Sequence, residues 1–407
     1  MSRATDILTG PDRAPAWQEE LYVDLHRHPE LSMQETRTVG VIADRLEEWG
    51  YSVTRLGGGV VGVLANGPGR TVLFRADIDA LPVKEATGLP YASTATATAE
   101  DGTVVDVMHA CGHDVHVVAG LGAAEVLAKH RDAWSGTYVA LFQPGEETAA
   151  GAAAMVEAGL AEAVPVPGVA LAQHVLTAPD AGHVATAPGP VLSSAQSVRI
   201  TVHGKGTHGA MPHLGVDPVL LAASITVRLQ SIVAREIAPG EFGVVTVGSL
   251  RAGTTANIVP DRAVLLVNVR AYSTTVREQI TAVIERVVRG ECQVAGSPRE
   301  PEFEYYDGFP LTDNDPAVTA AVTAAFREYF GAERVHRLDP VPASEDFSTV
   351  PDALGVPYTY WGLGGFAPGR RRVGNHNPGF APVLEPTLWT GTEAAVVAAL
   401  AYLGRED

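Results

Sequence analysis

The chain is short of cysteine, of positive charge and of long apolar runs, and each shortage closes off a class of protein. Only Cys111 and Cys292 occur in 407 residues. Two thiols cannot build a disulfide framework, and they suit a reducing compartment in which both stay free. The N-terminal stretch "MSRATDILTGPDRAPAW" has no apolar signal core, and nowhere do apolar residues run unbroken for the roughly 18 positions that a membrane span needs. A cytoplasmic protein is expected. Lysine and arginine number 29 against 47 aspartates and glutamates, a formal charge of −18. Nucleic acid and anionic membrane surfaces would repel such a chain at long range, which leaves small molecules and proteins as partners. Internal repeats and low-complexity tracts are absent too, which excludes a solenoid.

What is there is an ordinary globular composition, 46% hydrophobic and 19% charged, in a chain long enough for two domains. "WQEELYVDLHRHPE" and "TRTVGVIADRLEEWGY" carry apolar residues at helical spacing. "TVLFRADIDALP", "GTYVALFQPGEE" and "GVALAQHV" read as short buried strands, each running into a polar loop. Such alternation predicts an α/β fold with a mainly parallel sheet covered by helices. From about Pro190 the pattern changes to "AQSVRITVHG", a strand, then the amphipathic helix "DPVLLAASITVRLQSIVARE" and the strands "FGVVTVGSL" and "RAVLLVNVRAY". The helix "TTVREQITAVIERVVRG" and the strand "PEFEYYDGFP" complete a β-α-β-β-α-β order, an α+β unit with helices on one face of an antiparallel sheet. After Pro310 the α/β pattern resumes. The expectation is a catalytic domain from residues 1–189 and 310–407, interrupted by an inserted lid or dimerisation domain at 190–309, with the two crossings acting as a hinge.

In an open parallel sheet, ligands bind beyond the carboxyl ends of the strands. The residues found there are Asp77 and Asp79 after "TVLFR", Glu146 and Glu147 after "YVALFQPG", His174 after "VALAQ" and His376 in "VGNHNPGF". Cys111 and His113 of "MHACGHDVHVV" stand just ahead of a predicted helix, where a thiolate is favoured over a thiol. Thiolate, imidazole and carboxylate are the donors that zinc and its neighbours accept. One histidine after a strand means little, but several candidate donors on independent loops that the topology brings together point to metal. A nucleophilic Cys111 with a histidine base is the main competing explanation, and it leaves Glu146, Glu147, His174 and His376 without work. Cys292 reads as a small buried residue.

The motifs "RADIDALP", "HACGHD", "FQPGEE", "QHV", "GKGTHGAMPH", "SEDF" and "GNHNPGF" occur in an order and spacing that resembles the M20 metallopeptidase family, in its amidohydrolase branch, over about residues 20 to 400. That branch includes hippurate hydrolases, N-acyl-amino-acid amidohydrolases and auxin-conjugate hydrolases. The resemblance implies that Cys111, His113, Glu147, His174 and His376 bind two divalent metal ions, with Cys111 bridging them. Zinc or manganese comes first, and cobalt or nickel would also suit the donors. Glu146 would be the general base. Other branches use a His-x-Asp stretch where this chain has Arg75-Ala76-Asp77, so Asp77 is expected to orient a ligand imidazole and Asp79 to structure its loop. His208 in the insert would reach the substrate carbonyl, from its own chain or from the partner in a homodimer formed through the insert. Asn257 in "TTANIVP" and Arg270 in "LLVNVRAY" resemble binders of a substrate carboxylate, Arg270 by a forked pair of donors. His26, His28 and Glu30 are read as structural, His109 and Asp114 as hydrogen-bonding groups beside the ligands, and His116 as a residue of the helix face.

The activity implied is hydrolysis of the amide bond of an N-acyl amino acid by metal-activated water, with Glu146 moving the proton and His208 steadying the oxyanion. A dipeptidase or another deacylase of the same family is the nearest alternative. Further off are a hydrolase attacking through Cys111 without metal, and a binding protein that keeps the fold without catalysis.

Overall fold

Thr71–Asp77, Gly136–Gln143, Val169–Asp180 and Tyr358–Phe366 are largely buried along their length, the pattern of strands covered on both faces. In the computed structural model, which describes residues 3–9 and 14–404, they form the parallel centre of an eight-stranded sheet. Gly136–Gln143 lies beside Thr71–Asp77, followed by Val169–Asp180 and then Tyr358–Phe366. An antiparallel hairpin, Ser52–Leu56 with Gly59–Asn66, extends one edge, and the short strands Val184–Thr186 and Val335–Arg337 extend the other. The outer strands leave little trace in the sequence pattern. The hairpin runs through the glycine-rich "GGGVVGVLANG", and the strands at the far edge are only three residues long.

The His113–Lys129 helix is apolar all round, and all but two of its 17 residues are buried. It packs on the sheet beside the equally buried Leu384–Leu400 helix, which also touches the sheet. Gly122 permits the close approach, because a Cβ there would sit 2.4 Å from Thr392 Oγ1 and 2.3 Å from Gln18 Nε2. This is the α/β architecture expected from the alternating pattern, and the helix it places at the centre of the domain is the one that starts at His113.

Two compact units divide the chain, one of residues 1–191, 313–339 and 346–407 and the other of residues 192–312 and 340–345. The short piece 340–345 lies outside the span expected for the insert. It joins that unit because Ser193 N–H donates to Ala343 O at 2.8 Å and Arg270 Nη1 donates to Pro342 O at 2.8 Å. Within the insert, a four-stranded antiparallel sheet runs in the order Gly243–Ala252, Arg262–Ala271, Ser194–His203, Glu302–Phe309. The helices Pro218–Leu229 and Thr274–Ala295 press Leu221, Ile225, Ile280 and Ile284 onto Val198, Ile200, Leu265 and Val267, a core separate from that of the larger unit. Cys292 is buried in that core.

The backbone turn that launches the His113 helix leaves no room for a side chain. Gly112 is left-handed, with φ of 82°, and a Cβ on it would lie 2.3 Å from Val175 Cγ1. Gly112→Ala should therefore lower the unfolding free energy by about 1–3 kcal/mol in a urea titration. Gly40→Ala, at a helical site with nothing within 4 Å of the added carbon, should be neutral or stabilising by up to about 1 kcal/mol. Equal effects at the two sites would show that the turn is not under this constraint.

Candidate metal centre

The strand ends and the helix start converge at one edge of the sheet, as the topology requires. Thr71–Asp77 ends on Asp77, with Asp79 two residues beyond. Gly136–Gln143 leads into a single turn, Glu146–Thr148, that opens from the left-handed Gly145. His174 lies within Val169–Asp180, and Cys111 immediately precedes the Gly112 turn. His376 follows the last central strand. Its own φ is 65°, and its N–H donates to Ala110 O at 2.7 Å, which ties this loop to the Cys111 loop.

Potential donor atoms of Cys111, Glu147 and His376 all lie within 4.8 Å of one another, and so do those of His113, Glu146 and Glu147. Cys111 Sγ is 3.4 Å from His174 Nε2, Glu147 Oε2 is 3.2 Å from His376 Nε2, and Glu147 Oε1 is 3.9 Å from His113 Nε2. Two donors on one tetrahedral ion, with bonds of about 2.0–2.3 Å, stand roughly 3.3–3.7 Å apart, so these spacings suit shared cations. His113 Nε2 and Glu147 Oε1 are buried and have no hydrogen-bond partner among the described residues. Left so, each would carry a desolvation cost, and a cation removes it. Cys111 Sγ, 3.4 Å from His174, also lies within 4.8 Å of donor atoms of Glu147 and His376, so it stands among both groups of candidate donors.

The tautomers agree with this. His113 Nδ1 donates to Asp79 Oδ1 at 3.0 Å, and His174 Nδ1 donates to Val175 O at 2.8 Å. Each bond leaves the Nε2 lone pair facing inward. The field of the site favours positive charge. Hydrogen bonds to Cys111 and Glu147 push the His376 pKa up to about 10 against the opposing effect of burial. Burial disfavours charge on His113, but Asp77, Asp79 and Cys111 outweigh it and hold its pKa well above the usual value. Burial and the neighbouring His116 keep His174 neutral.

Behind these groups the structure departs from expectation. The acid that hydrogen-bonds a candidate ligand is Asp79, which also accepts from Glu147 N–H at 3.0 Å. Asp77 cannot serve His113 in this way, because Arg75 Nη1 claims Oδ2 at 2.6 Å and His116 Nδ1 claims Oδ1. Its Oδ2 remains 3.7 Å from His113 Nε2. Burial would raise the pKa of Asp77, yet His113, His116 and Arg75 keep it well below the usual range. His116 lies on that helix, as expected, but on a face closed to solvent. It is buried one turn beyond His113, with Nδ1 on Asp77 and Nε2 accepting from Val175 N–H at 2.8 Å, so neither nitrogen is left for a metal. The spacing of three between His113 and His116, which puts both on one side of a helix, was the available signal. Asp346, in the motif "SEDF", was also given no role by the sequence. It accepts from Arg75 Nη2 at 3.1 Å and from Gln143 Nε2 at 2.6 Å, completing a buried network under the site.

His109 is buried without a hydrogen-bond partner for either ring nitrogen among the described residues, contrary to the role expected of it. Burial takes its pKa down to about 4. Asp114 turns away from the donors to His26 Nδ1, at 2.7 Å, while Glu85 meets His26 Nε2 at 3.2 Å. His28 is exposed on Asp24, and the Glu30 carboxylate accepts from the first turn of the Thr36–Glu48 helix, so this stretch is structural.

His208, Asn257 and Arg270 belong to the insert. His208 pairs with Ile258 in a two-stranded ladder, and Gly209 N–H donates to Asn257 O at 2.7 Å, so His208 and Asn257 are neighbours. Arg270 lies near the far end of Arg262–Ala271, about 26 Å along that strand from Arg262 at roughly 3.3 Å per residue, whereas Asn257 precedes the strand's start. Asn257 and Arg270 of one chain therefore cannot grip one carboxylate. Arg270 Nη1 is also spent on Pro342 O and Ser344 Oγ, and Nε on Asn268, which leaves Nη2 in place of the expected forked pair.

Residues 73–401 match the pattern described as Peptidase family M20/M25/M40. A hippurate hydrolase of Campylobacter jejuni is 36% identical over 336 residues, 81% of this chain and 83% of that protein. An N-acetyl-L-cysteine deacetylase of Bacillus subtilis is 34% identical over 84% of this chain and 79% of its own. Among solved structures, the YXEP protein of Bacillus subtilis, described as a dinuclear metal-binding peptidase of the M20 family, superposes with a TM-score of 0.76 at 28% identity, covering 94% of this chain and 97% of that one.

The His26 cluster supplies a pH test of the frame behind the site. Burial opposes charge on His26, but Asp114 and Glu85 prevail and raise its pKa from 6.5 to about 9. A raised histidine pKa gives stability that is full below the unfolded value and fades as pH climbs to the folded one. Unfolding free energy should accordingly fall between pH 6.5 and about 9, and His26→Gln should flatten that fall. Parallel curves for the two proteins would mean that the cluster is not charged as described.

Proposed function

The chain belongs to peptidase family M20/M25/M40 and is a hydrolase of amide bonds, and on that premise we propose that it cleaves N-acyl amino acids into a carboxylate and a free amino acid. The observation that carries the reading is the split between two adjacent carboxylates. Glu147 approaches both His113 and His376, and Glu146 stands beside it, 4.0 Å from His113 Nε2. In this reading Glu147 holds metal and Glu146 moves protons. Names of the relatives, a hippurate hydrolase and an N-acetylcysteine deacetylase, support the substrate class.

Two divalent ions held by Cys111, His113, Glu147, His174 and His376, zinc or manganese first and cobalt or nickel after them, would supply Lewis acidity and bring the pKa of water toward about 7. Glu146 takes the proton of the attacking water, keeps it through addition to the carbonyl, and passes it to the departing amine nitrogen. Asp79 holds the His113 imidazole in register, and Asp77 does the same for His116. His208 donates to the oxyanion as it forms, with Asn257 beside it, and Arg270 Nη2 faces the substrate carboxylate.

His208 and Arg270 stand too far apart in one chain for one acylated amino acid to touch both. A homodimer resolves this by bringing His208 and Asn257 from one subunit and Arg270 from the other. Leu220, Val227 and Ile258 of the insert are 67%, 75% and 56% exposed, and Gly243–Ala252 is an edge strand. Such a surface suits a second copy of the chain. The two unpaired thiols fit a cytoplasmic setting.

Glu146→Gln should lower kcat on N-acyl amino acids by at least about 100-fold with metal content unchanged. Chelation should abolish wild-type turnover reversibly. Activity that survives exhaustive chelation would instead favour Cys111 as a nucleophile. Mixing Glu146→Gln with His208→Ala, each inactive alone, should restore about one quarter of wild-type activity if His208 acts across a dimer, since half of the dimers are mixed and each holds one intact site. No recovery would place His208 in its own chain.

A further inference from the structure

The segment "ELSMQE", Glu30 to Glu35, takes no part in the chemistry above, yet it is bonded to both loops that carry the candidate carboxylates. Ser32 Oγ donates to Asp79 Oδ2 at 2.6 Å, the same oxygen that receives Glu147 N–H, while Asp79 Oδ1 holds His113. Glu35 Oε1 accepts from Gly145 N–H at 2.8 Å and from Met33 N–H at 3.0 Å. Gly145 is the left-handed residue directly before Glu146. A Cβ on it would meet Met33 Sδ at 2.5 Å, so this segment presses on the turn as well as bonding it.

Glu35 is an expensive residue for a purely local purpose. It occupies the N-cap of Thr36–Glu48 without capping that helix, because Glu30 already accepts from Arg37 N–H at 2.9 Å and Thr38 N–H at 2.8 Å. Its side chain is 2% exposed, and Oε2 is buried with no partner among the described residues. A carboxyl group buried in this way opposes folding, as its pKa, pushed up to about 7 by burial and by Asp79, also records. An apolar side chain would avoid that cost but would release Gly145.

We propose that Glu35 and Ser32 are positioning residues of the amide hydrolysis: Glu35 fixes the turn that presents Glu146 and Glu147, and Ser32 fixes the Asp79 carboxylate behind His113. The inference rests on the assignment of Glu146 as the proton carrier and of Glu147 as a ligand. Through Glu147 it also predicts an effect on metal affinity, which is measured without substrate.

The test compares Glu35→Ala, Glu35→Gln and Ser32→Ala with wild type for kcat and KM at full metal loading, for zinc affinity by competition with a chromophoric chelator, and for thermal stability. Glu35→Ala should lose about 10–100-fold in kcat with KM within about twofold, and should bind zinc more weakly by a similar factor. Glu35→Gln keeps an acceptor for Gly145 N–H and should recover most of both losses. Ser32→Ala removes one hydroxyl only, so it remains informative if Glu35→Ala folds poorly, and it should lose about 10-fold. A fall in melting temperature with kcat and zinc affinity within about twofold of wild type would overturn the inference, as would a Gln variant no better than Ala. A wild type that hydrolyses no N-acyl amino acid would count against the substrate reading alone, because the zinc measurement would still decide the role of Glu35 and Ser32.

Discussion

The proton on one nitrogen of an imidazole decides what the other nitrogen can do. His113 gives its Nδ1 proton to Asp79, and His174 gives its own to the Val175 carbonyl, which turns both Nε2 lone pairs toward Cys111 and Glu147. Without those bonds the rings could flip or rotate, and their Nε2 atoms would no longer be held toward the other donors. The rest of the structure serves this constraint. Asp79 is held from three sides, by His113, Ser32 and the Glu147 amide. His116 meets Asp77 and the Val175 amide next door, so the strand that carries His174 is anchored to the helix that carries His113.

A parallel sheet is a suitable base for such a group because it delivers loops to one edge while burying the strands that support them. The charges there would be costly alone. Arg75, fully buried, offsets Asp77 and Asp346 and ties the strand of the one to the segment of the other. Its removal would take the guanidinium charge from beside two buried carboxylates, a larger loss than that of a surface pair. The ionic network beneath the site and the candidate cations within it are therefore parts of one electrostatic arrangement.

The sequence made the fold class legible because the central strands are long, apolar and separated by helices of clear period. It missed Ser52–Leu56 and Gly59–Asn66, where glycines blur the alternation, and Val335–Arg337, which is too short to show one. Motif order pointed to Cys111, His113, Glu147, His174 and His376, all of which the structure gathers at one edge of the sheet. Which acid serves which imidazole was not readable. Asp77 and Asp79 differ by two positions, and only the third dimension shows that Arg75 and His116 occupy the first, leaving the second for His113. The same holds for Glu35, whose partner Gly145 lies 110 residues away in the chain.

The central claim, that a thiolate among imidazoles binds metal, is tested most directly by the electronic spectrum of the cobalt-substituted protein. Wild type and Cys292→Ser should both show the intense near-ultraviolet band of thiolate-to-cobalt charge transfer, and Cys111→Ser should lose it. A band that persists in Cys111→Ser, or that never forms in wild type at full cobalt loading, would contradict the account.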